Sequence, residues 1–151
     1  MIALAEEFFD MKNDPQQLSV DERSMARLRA IHPGTMSEER DENGPIAWIL
    51  VIPTTQALME AFTHGEVNER ELLERTLPGG VYDALYLCSA LVLPEHRGKG
   101  LARSLTSRAI RSIRKDHPVR SLFYWSFSGE GDALAASVAG EFDLPLYARK
   151  T

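Results

Sequence analysis

The sequence predicts an α/β fold, a mixed sheet flanked by helices, from three observations. Residues 85–93 and 121–127 are apolar almost throughout, as strands covered on both faces are. Residues 101–115 have helical spacing, and a crossover helix of that length makes the strands on either side of it parallel neighbours. Asn43-Gly44 between two extended stretches is a hairpin signal, so antiparallel strands join the same sheet. At 151 residues the chain reads as one domain, 1–151, large enough to bury about two thirds of its unfolded surface.

In chain order, residues 2–12 read as a short amphipathic helix with Leu4, Phe8 and Met11 on one side, broken by Asn13-Asp14-Pro15. Asp21 is placed to cap a second helix carrying Met25, Leu28 and Ile31, which stops at His32-Pro33-Gly34. The hairpin arms follow: a polar arm, 35–41, suited to a sheet edge, and a central arm, 46–52, that buries Trp48. Residues 54–80 hold two helical stretches. Thr55–Thr63 carries Leu58, Met59 and Phe62, and Asn68–Leu77 carries Leu72, Leu73 and Leu77; Gly65 separates them and Pro78-Gly79-Gly80 ends them.

The strand at 85–93 alternates Leu85, Leu87, Leu91 and Leu93 against Ala84, Tyr86, Cys88, Ala90 and Val92. Pro94 cannot donate to a ladder and ends it, and Gly98 and Gly100 then turn the backbone without a Cβ penalty. In the helix that follows, Leu101, Ala102, Leu105, Ala109, Ile110 and Ile113 share one half of the wheel. Arg103, Arg108, Arg111, Arg114 and Lys115 share the other. The first turn sits directly behind the glycines, so unpaired N–H groups and the positive end of the helix dipole face the loop, a setting that holds a phosphate. His117-Pro118 ends the helix; a further helix, 132–142, and a last strand, 144–149, complete the chain.

The run Arg97-Gly98-Lys99-Gly100-Leu101-Ala102, with Val92-Leu93-Pro94 before it and a long amphipathic helix after it, resembles the R/Q-x-x-G-x-G/A signature of the GNAT superfamily of acyl-CoA-dependent N-acyltransferases. The resemblance covers residues 84–128 well and extends more weakly to about 149. It implies a GNAT-like mixed sheet with two central parallel strands that splay apart, helices on the flanks, and acetyl-CoA as co-substrate with its pantetheine arm in the wedge. It also implies that Ala90, Leu91, Val92, Arg97, Gly98, Lys99, Gly100, Leu101, Ala102 and Arg103 contact the coenzyme.

The sequence departs from the family in three places. The opening strand is not found, the helical insert 54–80 stands before the fourth family strand, and the given sequence stops before a seventh. Either the fold is trimmed there or a partner subunit completes the sheet, which would make a homodimer. The family's catalytic groups are also missing from their places. Some members carry a glutamate on the fourth strand where Tyr86 stands here; others carry a tyrosine in the last helix where, counted from Phe142, Ser137 stands.

Tyr86 and Ser137 are therefore the catalytic candidates by position. Tyr86 reads as a core residue ahead of a proton donor, and Asp83 as a solvated turn residue ahead of a water-mediated base. Two functions stay open: transfer of an acetyl group to a primary amine of a small molecule or peptide, or non-catalytic acyl-CoA binding in an assembly module. The acidic insert reads as the acceptor-side wall, attracting a cationic amine, or as a brace on a sheet edge.

Composition narrows the rest. The net charge of −5 is uneven: residues 97–120 hold eight Lys/Arg against Asp116 alone, +7, which leaves −12 elsewhere. That basic segment suits the phosphates of coenzyme A, and its confinement to one helix argues against nucleic acid. Cys88, the lone cysteine, allows no internal disulfide, fits a reducing cytoplasm and reads as a small core residue. The N-terminal segment is interrupted by Glu6, Glu7 and Asp10 and reads as neither signal peptide nor membrane span. The four histidines show no metal-ligand spacing, so no metal is expected, and no G-x-S-x-G elbow is present for a serine hydrolase.

Overall fold

The computed structural model describes residues 21–150, so the helix expected at 2–12 lies outside the described residues. Those residues form an α/β structure of five helices and one five-stranded mixed sheet. Helix α1 (Glu22–Ile31) starts at Asp21, whose carboxylate accepts the Ser24 N–H, and buries Met25, Leu28 and Ile31. Strands β1 (Met36–Asp41) and β2 (Gly44–Thr54) form the hairpin. Its two-residue loop is Glu42-Asn43, one position earlier than Asn43-Gly44, because Asp41 pairs with Gly44 and the Asp41 carboxylate accepts the Asn43 N–H. Gly44, at φ 124°, takes the backbone conformation that turn demands.

Helices α2 (Gln56–Thr63) and α3 (Glu69–Arg75) form the insert, capped by Thr55 and by Asn68; Asn68 and Glu71 make a reciprocal capping box. They do not brace a sheet edge. Met59, Phe62, Leu72 and Leu73 pack with α1 on one whole face of the sheet, over Leu50, Tyr86 and Phe123. Phe62, Tyr86 and Phe123 meet with ring centroids 4.7–5.8 Å apart, each pair adding about 0.5–1.5 kcal/mol to plain burial. Leu77 lies past the end of α3 and is exposed.

Strand β3 (Ala84–Val92) is central and antiparallel to β2. A single 3-10 turn, Pro94–His96, leads to helix α4 (Leu101–Asp116). Strand β4 (Ser121–Trp125) returns parallel to β3, helix α5 (Gly129–Phe142) follows, and β5 (Leu146–Arg149) lies parallel to β4 at the far edge. Strand β4 stops two residues short of the expected Phe127. Helix α5 begins three residues before Asp132 because Ser128 caps it, and β5 begins at Leu146 rather than Leu144. The second face of the sheet is covered by α4 and α5 through Leu105, Ile110, Ile113 and Val138.

One irregularity changes the reading of β3. Leu50 pairs with Ser89 and Val51 with Leu87, so Cys88 is an extra residue, a bulge. The bulge shifts the alternation: Leu85 and Leu87 share the α4 face with Ala90 and Val92, not with Leu91 and Leu93. Pairing between β3 and β4 covers only Ala84–Leu87 with Ser121–Tyr124, whereas β3 runs on to Val92 against β2 alone. Residues 84–86 are accordingly buried and 87–92 half-buried.

Candidate functional site

Where β3 and β4 part, a cleft of about 900 Å³ opens between them. One wall is the bulged half of β3, Leu87–Val92; the other is Tyr124, Trp125 and Phe127 with the first turns of α5. The glycine loop and the first turn of α4 close its end. Nine of the ten residues expected to contact the coenzyme line it, from Ala90 through Arg103; Lys99 does not.

The loop's chemistry follows from its backbone. Gly98 and Gly100 sit at φ 82° and 73°, where a side chain is strained. A Cβ at either position would meet no atom within 4 Å, so conformation and not space demands glycine. Gly100 is the N-cap of α4 and offers no side chain to it. The first bond back to the cap is Ser104 N–H to the Gly100 carbonyl at 3.0 Å, which leaves the N–H groups of residues 101–103 directed at the cleft's end. Arg97 donates from Nε to the Val92 carbonyl, tying the loop to the end of β3.

The basic face of α4 is less free than its sequence implies. Glu141 of α5 accepts from Arg111 at 2.7 Å and Ser107 at 2.7 Å, and faces Arg103 at 3.5 Å. Arg108 pairs with Glu39 of β1 at 2.6 Å and does not line the cleft. Arg97 and Arg103 are the arginines that do.

Neither catalytic candidate lines the cleft. Ser137 lies half-buried on α5, and Tyr86 is fully buried beneath Phe62 and Phe123. The Tyr86 phenol donates to Oε2 of Glu69, and burial followed by the Glu69 charge pushes its pKa well above the usual value for a tyrosine. Asp83 stands at the other end of β3 from the glycine loop. Its carboxylate accepts the Gln56 N–H and faces Arg120 at 3.6 Å, and its carbonyl accepts Gln56 Nε2, a structural role in the turn.

Cys88, expected as a small core residue, is half-buried: it packs against the core cluster of α1 and the insert, it is also among the residues that line the cleft, and its Sγ donates to the same Glu69 oxygen at 3.4 Å. Glu69 was masked in the sequence by its acidic neighbours on a surface-like helix, yet it is 5 % exposed. Beside it Arg149 donates to the Val67 carbonyl and lies over the rings of Phe62 (4.8 Å) and Trp125 (4.2 Å). The indole N–H of Trp125, itself on the cleft wall, is buried and has no hydrogen-bond partner. On the opposite side the Tyr124 phenol and Ser126 hydroxyl both donate to Asp132, at 2.8 and 2.7 Å, which holds the start of α5 to the end of β4.

No residue of the insert, read from the sequence as an acceptor-side wall, is among those lining the cleft; Glu69 meets a lining residue, Cys88, from behind. Among the described residues no group of three or more His, Cys, Asp or Glu is placed to hold a metal ion, and no helix is long and apolar enough to cross a membrane. Neither the family models nor the curated proteins compared with the chain give a match.

Proposed function

We propose that the protein is an acetyl-CoA-dependent N-acetyltransferase of the GNAT type, acting on a primary amine. The observation that carries the reading is the cleft between two parallel strands that stop pairing, ended by a glycine loop at a helix N-terminus. The three parts suit the three parts of an acyl-CoA. The N–H groups of residues 101–103 suit the pyrophosphate, and the unpaired edge of the bulged strand suits the two amides of pantetheine. The apolar walls, Leu87 and Ala90 against Leu134 and Ala135, suit its methylene carbons and exclude water from the thioester. Attack by a neutral amine on the thioester carbonyl then needs a donor for the developing oxyanion and a proton for the departing sulfur.

A second reading, a non-catalytic acyl-CoA-binding module, is favoured by the placement of Tyr86 and Ser137 outside the cleft. Release of free thiol from acetyl-CoA across a panel of amines, run beside calorimetric titration of acetyl-CoA, tests both. Binding with amine-dependent turnover supports the enzyme, and binding with no turnover on any amine supports the module. Absence of binding overturns both.

A further inference from the structure

The cleft is lined from both faces of the sheet. Leu87, Ala90 and Val92 pack on the α4 side, whereas Trp125 packs with Phe62 on the side of α1 and the insert. Arg97, Arg103 and the glycine loop all belong to α4 or to the segment that leads into it. A coenzyme held there by its phosphates enters along the α4 side, and the Trp125 side is left for a second substrate.

That side presents an aromatic ring to solvent. Strand β4 ends at Trp125, and Phe127, two residues on, is 52 % exposed. Of the large apolar side chains exposed among the described residues, Leu77, Val81, Phe127 and Tyr147, Phe127 alone lines the cleft. Its ring lies 4.7 Å from that of Trp125, tilted by 39°. Trp125 is held from behind: Arg149 stands 4.2 Å over its ring and donates to the Val67 carbonyl, and Phe62 meets it edge-on at 5.7 Å. The pair is a fixed aromatic wall, one ring packed and one ring open. An aromatic ring stacked on Phe127 would cover apolar surface that the fold leaves in water. Charge points the same way. Among the residues lining the cleft, Arg97 and Arg103 stand against one carboxylate, Glu130. That balance does not attract a polyamine or a lysine-rich peptide.

We propose that the acceptor is an aromatic primary amine, its ring seated on Phe127 and its nitrogen directed at the thioester, with Phe127 as the residue that selects it. The proposal rests on the acyltransferase reading above and names the class of amine which that reading leaves open. The neutral nitrogen attacks the thioester carbonyl carbon, a carbon–nitrogen bond forms and the carbon–sulfur bond breaks. The proton lost from nitrogen ends on the departing sulfur, leaving the amide and free coenzyme A.

The test is thiol release from acetyl-CoA by the full chain with phenethylamine, butylamine, spermidine and a lysine-containing peptide, run beside calorimetric titration of acetyl-CoA. The expected kcat/KM for phenethylamine exceeds that for each of the others by about tenfold or more, the scale of seating one ring. Phe127→Ala should raise KM for phenethylamine about tenfold, and for butylamine less, with acetyl-CoA affinity unchanged. Phe127→Tyr keeps the ring and should keep the preference. A preference for any of the other three acceptors overturns the proposal, as do equal losses for phenethylamine and butylamine in Phe127→Ala. A fall in acetyl-CoA affinity in that variant also overturns it, because the ring then meets the adenine of the coenzyme. Binding of acetyl-CoA with no turnover on any amine overturns it and leaves the coenzyme site standing. Failure to bind acetyl-CoA at all removes the acyltransferase reading, and this proposal with it.

Discussion

Arg111 and Glu141 are joined by an ion pair of 2.7 Å that crosses from α4 to α5, and the same carboxylate faces Arg103 at 3.5 Å. The basic helix face is thus divided between packing and solvent, with Arg103 at the cleft and Arg108 committed to Glu39. Arg103→Ala should weaken coenzyme A about tenfold, equivalent to about 1.4 kcal/mol, and dephospho-coenzyme A less. Arg108→Ala should leave both affinities unchanged. The contrast should fade as salt is raised, because exposed charges are screened. Calorimetric titration of the two ligands at two ionic strengths measures it, and equal losses for both ligands would remove Arg103 from the 3′-phosphate.

Gly100 supplies a second prediction. At φ 73° a Cβ costs about 1–2 kcal/mol whatever the space around it. Gly79, at φ 83° and also with open space beside it, is far from the cleft lining and carries the same backbone strain. Gly79→Ala and Gly100→Ala should therefore lower the urea midpoint by similar amounts, while only Gly100→Ala reduces acetyl-CoA binding. Parallel binding losses in the two variants would show that the loop acts through global stability alone.

Much of this was legible in the sequence, and the limits have physical causes. Caps, breakers and periodicity are local, so Asp21 was placed as a cap, and the helical stretches read from Thr55 and Asn68 differ from the helices by those two residues, which prove to be caps, and by the last two of the second stretch, Thr76 and Leu77. The bulge at Cys88 is not local. Nothing in the run Leu87-Cys88-Ser89 announces that its pairing with Leu50-Val51 slips, and that slip decides which residues of β3 share the α4 face. Glu69 was hidden for a related reason: its helix is rich in charge, and only the tertiary placement of α3 over β3 buries that one carboxylate. The ion pairs of Glu141 and Glu39 were equally invisible, being contacts between residues distant in sequence.

The cap of α3 links stability to the contacts of Glu69. Asn68 immediately precedes Glu69 and closes a capping box with Glu71, at 2.8 and 3.1 Å. Asn68→Ala should cost about 1 kcal/mol of unfolding free energy, seen as a lower urea midpoint at constant slope. By loosening the first turn it should also raise the reactivity of Cys88 toward a thiol reagent. If stability falls and thiol reactivity stays fixed, β3 and not α3 sets the exposure of the sulfur.

His117 gives the pH dependence. Burial first, and the neighbouring His32 second, lower its pKa below the ordinary histidine value, so the folded state favours the neutral ring. Its ring packs 4.5 Å from Tyr82 and 5.8 Å from His32. A depressed folded value means the unfolded chain binds the proton more readily. The stabilisation is therefore full above the unfolded value of about 6.5 and is lost as pH falls through the lower, folded one. Urea midpoints measured downward from neutral pH should decline, and His117→Gln should flatten that decline. An unchanged slope in the variant would assign the effect to another group.

The seam between β3 and β4 is four residue pairs long and lies entirely at one end of the cleft. Mechanically it is a fulcrum. A rotation about those pairs would be largest at the glycine loop, so any change in the width of the cleft mouth would bear on the pairing of Ala84–Leu87 with Ser121–Tyr124 as well as on the contacts of α4 with α5. A molecule seated between the strands acts as a wedge or as a clamp according to its girth. The same four pairs then decide how much girth the sheet accepts before its two halves begin to separate.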